Sequence, residues 1–218
     1  MDKSVLESEA RGGAVSKQQE VINRIRRISR GTPFAIRRWA RRYGPSVANK
    51  AVRALVASGE VVRMQRGVYV RPGVHPVLGT VTPAPEAAVR VAARARGQRL
   101  EIGGPESARR FGLTTQVPMQ TTFLTSGRSR IVAVGRRAIR LEHVSDAYLA
   151  HAGTPAGAAL SALRHVGRDG LTPEVVERVL GRLDAPNRRR LVRSARRLPP
   201  TLARALGAVR DAPRGRGA

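Results

Sequence analysis

Apolar positions recur along the chain at two periods, and the switches between them mark the predicted elements. Residues 17–29 put Val21, Ile25 and Ile28 on one helical face, with Asn23, Arg27 and Arg30 turned away. Gly31-Thr32-Pro33 breaks that helix. A second fits residues 35–43, where Ile36, Trp39, Ala40 and Tyr43 recur at helical spacing while Arg37, Arg38, Arg41 and Arg42 fall opposite. Gly44-Pro45 makes a tight turn. Ser46 can then cap a third helix, which Gly59 ends as a left-handed terminator. On that helix Val47, Ala51, Ala54, Leu55 and Ser58 gather on one side, and Ser46, Asn49, Lys50 and Arg53 on another. The period then falls to two. Val62 and Met64 alternate with Arg63 and Gln65, Arg66-Gly67 turns, and Val68 and Val70 flank Tyr69 before Pro72 stops the strand. Three short helices followed by a hairpin is the order of a winged helix-turn-helix.

Residues 74–85 are rich in Pro and Gly and predict a linker. Beyond it the pattern predicts a helix over 86–96, a strand over 99–102 and a short helix over 106–111. Strands follow at 121–125 and 131–134, with Ser126-Gly127-Arg128 turning between them, and a third lies at 138–143. Helices are expected at 156–165, 173–183, 186–198 and 200–209. In the third of these Leu191, Ala195 and Leu198 form the apolar stripe, while Arg188, Arg189, Arg193, Arg196 and Arg197 lie mostly outside it. The expected fold class is α+β: an N-terminal winged helix-turn-helix followed by a mixed α/β C-terminal domain ending in helices. The expected division is a disordered leader at 1–16, the winged helix at 17–73, the linker at 74–85, the C-terminal domain at 86–210 and a disordered tail at 211–218.

Charge sharpens this picture. The chain carries 41 bases against 15 acids, a formal net charge of +26. Only Lys3, Lys17 and Lys50 are lysines. A codon bias accounts for Arg over Lys, but not for the shortage of acids. Residues 17–75 hold 14 bases against Glu20 and Glu60, almost half the net charge in about a quarter of the chain. Charge at that density repels itself, and an anionic polymer relieves it. Asn, Lys and Arg suit base edges and phosphates in the major groove. The expected DNA contacts are therefore Asn49 and Arg53 to bases and Ser46 and Lys50 to phosphate. Arg63, Gln65, Arg66 and Arg71 are expected to act from the hairpin, and Arg37 and Arg41 from the second helix. With 3% aromatic residues, and Trp39 and Tyr69 at apolar spacing, stacking platforms for single strands are lacking. Duplex DNA is the expected partner. A three-helix module that contacts protein, its arginines merely solvated, is the bland alternative.

Chemistry is hard to find. There is no cysteine, no GxxxxGK[ST] phosphate loop and no GxSxG elbow. His75, His143, His151 and His165 have no metal-site spacing, and Glu86, Glu101, Glu106 and Glu142 are scattered. No catalytic, cofactor or metal site is expected, and the chain reads as a binding protein, not an enzyme. No apolar run approaches the ~20 residues of a membrane span. The first sixteen residues have no signal core. A cytoplasmic location is expected, with no membrane partner.

The succession "RGTPF", "ALVASGEVVRMQRGVYVRP", "TPAPEAAVRVAARARG", "FGLTTQVPMQTTFLTSG", "IRLEHV" and "ALRHVGRDGLT" resembles the AbiEi-like antitoxins of type IV toxin–antitoxin systems. The likeness is to the smaller bacterial group with an uncharacterised C-terminal domain, and it spans residues 17 to about 200. "GLTTQVP" followed by "FLTSG" is its distinctive part, whereas many winged helices share the Arg-Gly-x-Tyr turn. The resemblance implies an N-terminal winged helix that represses its own operon by binding its operator. It also implies a C-terminal domain that supplies antitoxin activity against an AbiEii-like nucleotidyltransferase toxin, with or without direct contact. Members of this group also occur as solitary regulators. Two other readings stay open: a solitary winged-helix regulator, and a basic RNA- or ribosome-associated protein, favoured if the arginines outside 17–75 carry the binding.

Overall fold

The computed structural model describes residues 16–77, 79–167 and 170–211. The expected leader (except Ser16) and the expected tail (except Asp211) lie outside them. The chain divides into two compact units between Ala95 and Arg96.

In the first unit, α1 (Lys17–Arg26) starts where the Ser16 side chain accepts a hydrogen bond from the Gln19 amide at 3.1 Å. It buries Val21, Ile22 and Ile25, each contributing about 1.5–3 kcal/mol of hydrophobic stabilisation. The segment Pro33–Ala35 is a strand, β1, not a mere break, so the second helix α2 (Arg37–Tyr43) begins two residues later than its periodicity suggests. The third helix, α3 (Pro45–Ala57), is capped by Gly44, whose φ of +90° a side chain would strain. Pro45 takes the first helical position, so Ser46 sits inside the first turn and makes no capping bond. The hairpin β2 (Val62–Gln65) and β3 (Val68–Val70) closes through Arg66-Gly67, with Gly67 at φ +79°. β1 pairs with the other side of β3, antiparallel, giving the order β1-β3-β2. A bulge falls between Arg63 and Gln65, and Val62, on the edge strand, is exposed and does not join the core. Phe34, Trp39, Ala48, Ala51, Val52, Leu55 and Val61 complete the core with α1.

The expected linker contains structure. β4 (Gly73–His75) and β5 (Gly79–Val81) pair antiparallel. The next helix, α4 (Pro85–Ala95), was expected to open the C-terminal domain. Instead it packs on β1, β2 and β3 and belongs to the first unit. It buries Ala88, Val89, Ala92 and Ala93, and the Ala88 carbonyl accepts a hydrogen bond from the Gln65 side chain at 3.0 Å.

The second unit places a four-stranded sheet against helices. β6 (Leu100–Ile102), β7 (Thr122–Thr125), β8 (Arg130–Val134) and β9 (Arg137–His143) lie in the order β6-β7-β9-β8. The turn at 126–128 does not join neighbours. β9 inserts between β7 and β8, parallel to the former and antiparallel to the latter. Three helices begin on a side-chain cap with proline in the first or second helical position: α6 (Pro155–Val166) on Thr154, α7 (Pro173–Gly181) on Thr172 and α8 (Ala185–Arg193) on Asp184. The short α5 (Gly104–Arg110) packs on α6 so closely that a Cβ on Gly104 would stand 2.6 Å from that of His165. The final helix, α9 (Pro200–Asp211), supplies Leu202 and Leu206 to a core of Leu160, Leu163, Val179, Leu180 and Leu191. Among the described residues, no helix is long and apolar enough to cross a membrane.

Candidate nucleic-acid interface

α3 is divided lengthwise by its sequence. Ala48, Ala51, Val52 and Leu55 face the core, while Ser46, Asn49, Lys50 and Arg53 are exposed. Ala54 and Ser58, expected on the apolar side, are exposed instead. Four polar side chains at helical spacing thus form one solvent face, held in place by a buried face of small and branched residues. On α2, the buried Trp39 fixes the helix, leaving Arg37, Arg38, Arg41 and Arg42 exposed. Arg63 and Arg66 project from the hairpin, also exposed.

The acids that could neutralise this surface are engaged elsewhere. Glu20 accepts hydrogen bonds from the Tyr43 hydroxyl at 2.6 Å and from Arg24 at 3.0 Å. These bonds, Tyr43 foremost, hold its carboxyl below the ordinary range. Glu60 accepts two bonds from Arg26, at 2.8 and 2.7 Å, and is likewise held down, chiefly by that guanidinium. Between Glu20 and Glu60 the sequence has no other acid. Arg37, Arg38, Arg41, Arg53, Arg63 and Arg66 therefore face solvent with no carboxylate partner among the described residues, while Arg24 and Arg26 serve the fold.

Of the ten residues expected to contact DNA, eight share this solvent-facing state: Ser46, Asn49, Lys50, Arg53, Arg37, Arg41, Arg63 and Arg66. Gln65 and Arg71 do not. Both are half-buried. Gln65 is tied to Ala88 of α4, and Arg71 donates to the carbonyls of Arg26 and, at 2.7 Å, Ile28 at the end of α1. Arg71 is a brace between the strand and the first helix. Its place directly after the hairpin gave it the look of a wing residue. Arg38 and Arg42, not among the expected contacts, share the exposed side of α2 with Arg37 and Arg41. The acid-free run around them was the signal that could have brought them in. Among the described residues, no group of three or more His, Cys, Asp or Glu side chains comes together to hold a metal ion.

The order α1-β1-α2-α3-β2-β3, with β1 pairing on the far side of β3 from β2, defines the first unit as a winged helix. Residues 20–196 match a family described as a family of unknown function (DUF6088), and the chain belongs to that family. Comparison with curated proteins and with solved structures gives no match.

Proposed function

We propose that the protein is a DNA-binding transcriptional repressor that reads duplex DNA with α3. The observation that carries this reading is the exposed row Ser46, Asn49, Lys50 and Arg53, flanked by unneutralised arginines on α2 and the hairpin. A helix is the right width for the major groove, and Asn and Arg can each make two hydrogen bonds to a purine edge. Lys50 and Ser46 then meet phosphates, and Arg66 at the hairpin tip reaches the backbone or a narrow minor groove. The test is binding to duplex DNA from upstream of the protein's own gene, compared with unrelated duplex. Asn49→Ala and Arg53→Ala should each cost ~1–3 kcal/mol of discrimination between the two. Equal binding of both duplexes by the intact chain would overturn the assignment.

The finer reading is an autorepressor and antitoxin of a type IV system, in which the second unit counteracts a nucleotidyltransferase toxin. Its support is the resemblance of the sequence, above all "GLTTQVP" followed by "FLTSG". Co-expression with a nucleotidyltransferase encoded alongside tests it: the intact chain should restore growth. A second reading, a basic RNA-associated protein, is favoured by one observation in the second unit. Arg188, Arg189, Arg190, Arg193, Arg196 and Arg197 are all exposed within ten residues that contain no acid. Competition between duplex DNA and structured RNA for the intact chain separates the two.

A further inference from the structure

Between β1, α2 and α4 the first unit opens a cleft of about 520 Å3. That volume falls within the ~300–1,000 Å3 usual for small-molecule sites. Phe34 and Trp39, largely buried in the core of the unit, reach its lining with the little surface that packing leaves uncovered. Phe34 and Trp39 meet edge to face, their ring centroids 5.3 Å apart and their planes at 86°. Val91 of α4 continues the apolar lining. Its cations come from two elements, Arg37, Arg38 and Arg41 from α2 and Arg94 from α4. All four are exposed, and no acid lines the cleft. None of the four makes a hydrogen bond or ion pair among the described residues. Other arginines of this unit do find acceptors, among them Arg24 on Glu20, Arg26 on Glu60, Arg30 on the Pro72 carbonyl and Arg71 on the end of α1.

We propose that this cleft binds a small organic anion with an apolar body and one or two carboxylate groups. Either half of such a molecule alone fits poorly. An inorganic anion would satisfy the guanidinium groups and leave the apolar lining of the cleft uncovered. A neutral hydrocarbon would cover that lining and leave four cations facing it without a counter-charge. An amphipathic anion places its apolar body on Phe34, Trp39 and Val91 and its charge among the arginines on both walls. Because Arg94 comes from α4 and the other three arginines from α2, a ligand that engages both sets bridges the two helices. Occupancy also engages Arg37 and Arg41 and so lowers affinity for DNA. That consequence rests on the DNA-binding reading above, whereas the binding itself does not.

Trp39 is the only tryptophan of the chain and lines the cleft, and because it also borders a second basic pocket with Arg24, Arg27 and Arg42, the Arg94 variant is what ties its emission to this site. The experiment titrates the full chain with 3-cyclohexylpropionate, which has an apolar body and a carboxylate and does not absorb where tryptophan is excited. The neutral 3-cyclohexylpropionamide and inorganic phosphate are titrated in parallel, and all three are repeated on Arg94→Gln. The carboxylate should change Trp39 emission saturably, with the amide and phosphate weaker by about tenfold or more. Arg94→Gln should weaken the carboxylate several-fold and leave the amide unchanged. The proposal is overturned by an emission that stays flat to millimolar carboxylate, by phosphate binding as tightly, or by an Arg94→Gln response equal to that of the parent. These outcomes do not depend on whether the chain binds DNA.

Discussion

Helices α3 and α6 are nearly equal in length, 13 and 12 residues, and have opposite uses. α6 is buried on almost every side, with Ala156, Gly157, Ala159, Leu160, Ser161, Ala162 and Leu163 all inaccessible. Its small residues let other elements come close. A Cβ on Gly157 would run into the His151 carbonyl and the buried Glu101 carboxylate. α3 buries only four residues and turns a polar face outward. A helix apolar all round is a scaffold, whereas one with an uncommitted polar face is available for a partner. Substitutions that disturb the fold and substitutions that disturb a partner's contact should therefore fall on different helices of this molecule, and each can be made without the other.

The largest expected effect comes from filling the closest approach on α6. Gly157→Val should destabilise the second unit by more than about 4 kcal/mol, because backbone and a buried carboxylate cannot both move aside. Hydrogen exchange over residues 155–166 would register it as lost protection. Leu160→Ala, which leaves a cavity instead of a clash, should cost about 2–5 kcal/mol in urea unfolding. On α3 the outcome should reverse. Asn49→Ala and Arg53→Ala should change stability by no more than about 0.5 kcal/mol while discrimination between duplexes falls by ~1–3 kcal/mol. A stability loss on α3 as large as that on α6 would erase the distinction. Smaller again is Arg66→Ala at the hairpin tip, expected to flatten the slope of log affinity against log salt by about one. An unchanged slope would remove the hairpin from the interface.

The smallest effect is one of pH, and it concerns pairing within the second unit. Glu106 accepts from Arg109 at 2.8 and 2.9 Å and from Arg110 at 2.8 Å. The Arg109 bonds, with help from Arg110, outweigh partial burial and hold its carboxyl at about 2. A carboxyl lowered by folding stabilises the fold fully above its unfolded value, ~4.3, and this contribution is lost as pH falls toward about 2. Glu106→Gln should remove that part of the acid dependence, which unfolding measured at intervals between pH 5 and 2 would show.

The helices were legible because each carries its apolar face within one local stretch. Val21 and Ile25 in α1, or Leu160 and Leu163 in α6, announce themselves at helical spacing. β1 was not legible. Pro33-Phe34-Ala35 is too short to alternate, and it is a strand only because β3 pairs with it from 33 to 37 residues further on. The placing of β9 beside β7 was hidden for the same reason, since parallel pairing is decided by distant residues and no turn signals it. α4 shows a third kind of failure. Its existence and bounds follow from its periodicity, but an apolar face of Ala88, Val89 and Ala92 does not say which sheet it will cover. For the site, exposure of α3's polar row followed from the wheel. The diversion of Gln65 and Arg71 into internal bonds depended on α4 and on the end of α1, and could not be read from the hairpin alone.

The exposed surface of α2, α3 and the hairpin is built of guanidinium groups, with Lys50 its one primary amine among the described residues. Guanidinium keeps its proton at any pH a fold survives, and reagents or enzymes that acylate amines pass it by. The surface is therefore addressable by acylation at a single point. Acetylating Lys50 would subtract one charge from the middle of α3 and leave every arginine around it as it was.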